Sequence, residues 1–106
     1  MRQQDARQGT VLIHIWELLD PGDGAAVMND LAQMLTEVVA AEPGFVSARV
    51  LGGDDGDSIA TLVEMRTTED RDRVEQLPIV RETLAHLHGA MNLAVKRYHE
   101  REAFGA

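Results

Sequence analysis

The chain's four histidines are the side chains whose ordinary pKa, about 6.5, suits proton transfer near neutral pH. They stand in three short stretches: His14 in "HIW", His86 and His88 in "HLH", and His99 in "KRYHE". On a helix turning about 100° per residue, Leu77, Val80, Leu84, Leu87 and Met91 gather on one side. His88 and Arg81 fall at the edge of that side, and His86 points away into solvent. His88 is therefore placed either to act as a general base between helix and sheet, or to bond to the helix end. His14 shares one strand face with Trp16, the single tryptophan of a chain with few aromatics. His99 and Tyr98 end the last strand, within reach of a phenolic ligand or in solvent.

Met28, Met34, Met65 and Met91 suit either an irregular core or a pocket for a flat, greasy ligand. A metal site is not expected. The rings of "HLH" diverge on a helix, and "GDDGD" lacks the terminal Glu of a calcium loop. There are no cysteines, which excludes thiolate catalysis and disulfides, and no Gly-rich phosphate motif.

These groups need elements to hold them. "TVLIHIWELL" is a β-branched and aromatic run ended by "DPGDG", hence a strand. From Ala25 to Ala41, Val27, Met28, Leu31, Met34, Leu35, Val38 and Val39 follow steps of three and four, the stripe of an amphipathic helix. Pro43 stops it. "FVSARVLG" and "SIATLVEMR" read as a hairpin closed by "GDDGD". Thr67 to Asp70 has capping-box spacing, Pro78 interrupts the helical region that follows, and Gly89 is placed to end it. Asn92 to Glu100 is a last strand.

The order β-α-β-β-α-β predicts an α+β, ferredoxin-like fold: a four-stranded antiparallel sheet with its helices on one face. One domain over residues 1–106 is expected, with 1–9 and 101–106 as flexible tails. A hairpin centred near Asp55 and Gly56 sets Val50 opposite Thr61 and Val46 opposite Met65. Val46, Ala48, Val50, Ile59, Thr61, Val63 and Met65 then lie under the helices. Phe45, Ser47, Arg49, Leu51, Leu62 and Glu64 make an open face too apolar for water. A second copy packed sheet to sheet would cover it, so a homodimer is expected. In the first strand the aliphatic series Val11, Ile13 and Ile15 is the natural partner of the helices, sending His14 and Trp16 to the dimer interior. The opposite register makes those two residues pocket wall.

A net charge of −8 argues against nucleic acid as partner. No apolar run approaches the ~20 residues of a membrane helix, and "MRQQDARQG" lacks a secretory h-region, so a cytoplasmic protein is expected.

The stretch "EPGFVSARVLGGDDGDSIATLVEMRTTED" resembles the antibiotic biosynthesis monooxygenase (ABM) family. The likeness lies in a Pro-Gly-Phe opening, a small-residue strand, a "DDG" hairpin and a strand ending hydrophobic-Glu-large. It extends over Thr10 to His99. It implies the dimeric α/β-barrel fold and a cofactor-independent monooxygenase that oxidises an aromatic polyketide or related polycyclic phenol with molecular oxygen. Relatives of that fold are also cyclases, isomerases or non-catalytic ligand-binding proteins. Quinone-forming members carry an Asn and a Trp four residues apart on the third strand, where this chain has Thr61 and Met65. The haem-degrading branch has a helix His where Glu75 stands. On this reading His88 is base or anion stabiliser and Thr61 orients the substrate oxygen. Met65, Met28, Met91, Arg81, Trp16 and His14 contact the aromatic body.

Overall fold

The computed structural model describes residues 9–88, 91–102, 104 and 105, and of His88 and Met91 only the backbone. The expected tail 1–9 up to residue 8, and Gly89 as helix stop, lie outside the described residues. Strands β1 (Thr10–Leu18), β2 (Phe45–Gly52), β3 (Ser58–Met65) and β4 (Met91–His99) form one antiparallel sheet in the order β2-β3-β1-β4. Helix α1 (Gly24–Glu37) follows β1, while α2 (Thr68–Gln76) and α3 (Pro78–His88) join β3 to β4. This is the expected ferredoxin-like arrangement.

Local chemistry places the breaks. The Thr67 hydroxyl caps α2 by accepting from the Asp70 amide at 3.1 Å, as the "TTED" spacing predicts. Leu77 turns extended between α2 and α3 because Pro78 disfavours helix in the residue before it. The first helix is shorter than its apolar stripe. It ends at Glu37, and Val39–Ala41 continue as one 3-10 turn that still buries Val39.

Two expectations about the sheet faces are corrected. In β1 the buried side is Thr10, Leu12, His14 and Trp16, whereas Ile15 is 41% exposed on the open face. The register decides this: His14 lies opposite Thr61 and Trp16 opposite Ile59, and those β3 residues face the helices. In β2, an irregularity between Phe45 and Ser47 sets Phe45, not Val46, opposite Met65. The extra residue of such a bulge swaps sides for everything before it. Phe45 therefore packs on the core and Val46 is 45% exposed.

The core divides in two. Leu12, Leu35, Val39, Val63, Met65, Val74 and Val80 form one cluster. Trp16, Val27, Leu31, Ile59 and Leu87 form the other. Between them on the sheet lies the cross-strand row Val50, Thr61, His14 and Val95, which carries the two polar side chains. Met34, Val50 and Leu84 touch both clusters and bridge the row.

Glycine matters at two turns. Gly44 has φ +84°, a region costly for L-residues, and a Cβ there would run into the Asp70 carboxylate. Gly56 has φ +78° with open space around it. We expect Gly56→Ala to lower stability by about 1–2 kcal/mol, the backbone cost alone. Gly44→Ala should cost measurably more, as compared by urea denaturation of the two variants.

Candidate active site

Three of the sequence-predicted residues, His14, Trp16 and Thr61, meet at the polar row. His14 and Trp16, two positions apart on β1, project to the same face, and their rings stack with centroids 5.6 Å apart and planes 14° from parallel. The indole N–H of Trp16 donates to the Thr61 hydroxyl across the strand pair, a long bond at 3.5 Å. Trp16 is only 1% exposed, so its N–H needs that partner. His14, Trp16 and Thr61 thus form one unit on the helix-covered side of the sheet.

A charged network flanks it. Arg71 on α2 is buried and donates to the Thr10 hydroxyl at 2.8 Å, which in turn donates to the Tyr98 carbonyl at 3.2 Å. The same guanidinium meets Asp72 at 3.1 Å and Glu75 at 3.7 Å. Glu75 also accepts two bonds from Arg97 of β4, at 3.1 and 2.7 Å. A buried arginine is tolerated because hydroxyl and carboxylates satisfy its donors. Glu75 holds Arg97 firmly protonated.

This environment sets the state of His14. Burial, the largest influence, disfavours the imidazolium and lowers the His14 pKa from its ordinary value. The Glu75 carboxylate opposes that and the Arg97 guanidinium reinforces it. A neutral ring at pH 7 is an acceptor for a substrate proton. Glu75 stands where it would stabilise the resulting cation.

The other predicted residues are dispersed. Met65 is fully buried in the first cluster, and Met28 packs half-buried against the second. Arg81 is exposed and donates to Gln76 at 3.2 Å, at the junction of α2 and α3. The side chains of His88 and Met91 lie outside the described residues. His86 is exposed on the rim of a groove of about 410 Å³ between α1 and α3, with Met34, Val38 and Ile79 among its lining and Asp30, Glu37 and Glu82 around it. The Arg71–Glu75–Arg97 network was not read from the sequence. Its one signal was the i,i+4 spacing of Arg71 and Glu75 on α2, which puts opposite charges side by side; nothing along the chain marks Arg97 as the third member.

Among the described residues no group of three or more His, Asp or Glu side chains could hold a metal ion, and no helix is long and apolar enough to cross a membrane.

No family profile and no curated protein matches the sequence. Solved structures match over nearly the whole chain. SnoaB, a cofactor-independent oxygenase from Streptomyces nogalater, is 15% identical with a TM-score of 0.75, covering 93% of this chain and 99% of that one. A candidate antibiotic biosynthesis monooxygenase from Deinococcus radiodurans is 13% identical, TM-score 0.80, covering 92% and 97%. A conserved protein from Methanosarcina mazei is 13% identical, TM-score 0.81, covering 93% and 99%. The chain therefore shares the ferredoxin-like fold of these structures, the α+β arrangement expected from its sequence.

The lowered pKa of His14 has a sign. Between the ordinary value of about 6.5 and the lower folded value, the unfolded chain binds the proton that the native state refuses. Stability from this group is complete above pH 6.5 and falls as pH drops through that window. We expect His14→Gln to lose this part of the pH dependence of Tm. Trp16 emission should report the protonation, since an imidazolium stacked on indole quenches it. A fluorescence titration should show an inflection below pH 6.5 in the wild type and none in His14→Gln.

Proposed function

We propose that this protein is a cofactor-independent oxygenase acting on an aromatic polyketide or related polycyclic phenol, with His14 as the base. One observation carries the reading: a buried imidazole, its pKa lowered by that burial and acted on by Glu75 and Arg97, in a fold shared with a cofactor-independent oxygenase. A phenol or enol would bind over β1 and β4 beside Arg97, whose side chain is 50% exposed. The acid-rimmed groove between α1 and α3 is the poorer place, because its carboxylates repel a phenolate.

The chemistry follows from those groups. The imidazole takes the substrate's proton, Glu75 stabilises the imidazolium, and Arg97 favours the anion. The electron-rich anion then reduces molecular oxygen. For a CH₂ flanked by aromatic rings, one oxygen atom becomes the new carbonyl and the other leaves with the two hydrogens as water. Trp16, which donates to the Thr61 hydroxyl, stacks on His14 and fixes its ring plane. His88, on the last turn of α3, is the rival base. Met28, Met65, Met91 and Arg81 remain as proposed contacts of the aromatic body.

A second reading keeps the proton transfer and omits oxygen, giving a cyclase or isomerase. It is favoured by Thr61 and Met65, which stand in place of the Asn and Trp of quinone-forming members, and by the engagement of the Thr61 hydroxyl with Trp16. In either case we propose a homodimer through the open sheet face, where Val11, Ile13, Ile15, Leu51, Leu62 and Tyr98 lack cover in the single chain.

With metal-free, flavin-free protein and a model anthrone, we expect oxygen uptake above the spontaneous rate, matched by quinone. His14→Gln should lower it by about 10²–10⁴-fold, the usual worth of a general base. Loss on His88→Ala with His14→Gln active would transfer the role to His88. Absence of uptake together with anaerobic turnover of a polyketide would select the second reading. Leu62→Asp should give a monomer by analytical ultracentrifugation, because a carboxylate would be buried in the seam.

A further inference from the structure

We propose that the segment following β4 docks on a second copy of this chain, seating Phe104 in the groove between α1 and β2 of that copy. The proposal goes beyond the activity above and rests only on the presence of a second copy. Phe104 is 89% exposed, more than any other large hydrophobic side chain among the described residues. A ring this exposed has nearly all of its apolar surface to gain from a partner.

A matching vacancy exists on the other edge of the sheet. A groove of about 240 Å³ runs between α1 and β2, with small residues Ala32, Thr36, Ala40 and Ala48 along its walls and Phe45 and Val50 beside them. Larger side chains at those four positions would have closed it. The bulge that turns Phe45 inward supplies an aromatic edge against which a second ring can pack. The lining holds no charged side chain, so an apolar occupant buries no charge there.

The occupant is another copy's Phe104 because the chain's own cannot reach. The Glu100 amide donates to the Gly9 carbonyl at 3.1 Å, which pins the segment beside β1 at its first residue. The strand order places β2 and β4 on opposite edges, three inter-strand spacings or about 14 Å apart. Four extended residues from Glu100 to Phe104 span at most about 14 Å, and the path must also rise from the sheet toward α1. In a two-fold pair the exchange is reciprocal and fills both grooves.

The absence of cysteine makes the test clean. Two single variants, Ala40→Cys and Phe104→Cys, are mixed, allowed to exchange subunits and mildly oxidised. We expect a covalent dimer joined between positions 40 and 104, identified by peptide mass spectrometry and cleaved by reductant. Separately, Phe104→Ala should weaken the dimer by at least about tenfold in Kd, measured by dilution in sedimentation velocity. A persistent dimer with no 40–104 link and an unchanged Kd in Phe104→Ala overturns the proposal and leaves the sheet-face dimer standing. Closure of the link within one chain of the double variant, without the intermolecular product, overturns it as well. A chain that stays monomeric at all concentrations overturns both the docking and the sheet-face dimer, while the oxygenase assay stands apart from either.

Discussion

The pairing of β1 with β3 is the constraint from which the rest follows. Because side chains alternate along a strand, setting His14 opposite Thr61 commits all of β1 at once. Leu12 and Trp16 go under the helices with them, and Val11, Ile13 and Ile15 go to the open face. A slip of one residue would exchange a buried indole for an isoleucine and strand the Thr61 hydroxyl without the Trp16 N–H. Burial of Trp16 and satisfaction of its donor therefore hold the register, and the register brings the imidazole to the row between the two apolar clusters.

That row has an uncommon electrostatic setting. Two guanidiniums, Arg71 and Arg97, converge on the single carboxylate of Glu75 from different elements, α2 and β4. The Arg71 branch is buried and extends through Thr10 to the Tyr98 carbonyl, so it ties helix to two strands. The Arg97 branch is half in water and is correspondingly screened. Glu75 is thus anchored on one side and free to trade partners on the other. A carboxylate held in this way can answer a charge that appears on His14 without a change in the fold.

The sequence carried the architecture well. The breaker clusters, the Pro78 interruption and the "TTED" cap are local signals, and local signals survive folding. The inward face of β3 was also legible, since hairpin geometry links it to β2. Two features were not legible, for physical reasons. Both sides of β1 are apolar enough to be buried, and only the neighbour's register distinguishes them. The bulge at Val46 is a backbone event with no glycine to mark it, and it reversed Phe45. The site was read in part: His14, Trp16 and Thr61 were candidates, but the ion network joins residues of two elements whose relative placement is a tertiary outcome. No spacing along the chain encodes that Arg71 and Arg97 share Glu75.

The central strand β1 is made before both of its sheet neighbours, β3 and β4. Thr10 bonds to the Tyr98 carbonyl 88 positions later, and Trp16 finds Thr61 across 45. During synthesis β1 leaves the ribosome with neither sheet neighbour yet available, and α1 is the next long element to follow it. Contacts this distant in sequence form late and slowly. For much of translation the chain presents Leu12, Ile13, Ile15 and Trp16 as an unpaired, two-sided apolar ribbon, the kind of segment that chaperones retain and that nascent neighbours on a polysome can pair with.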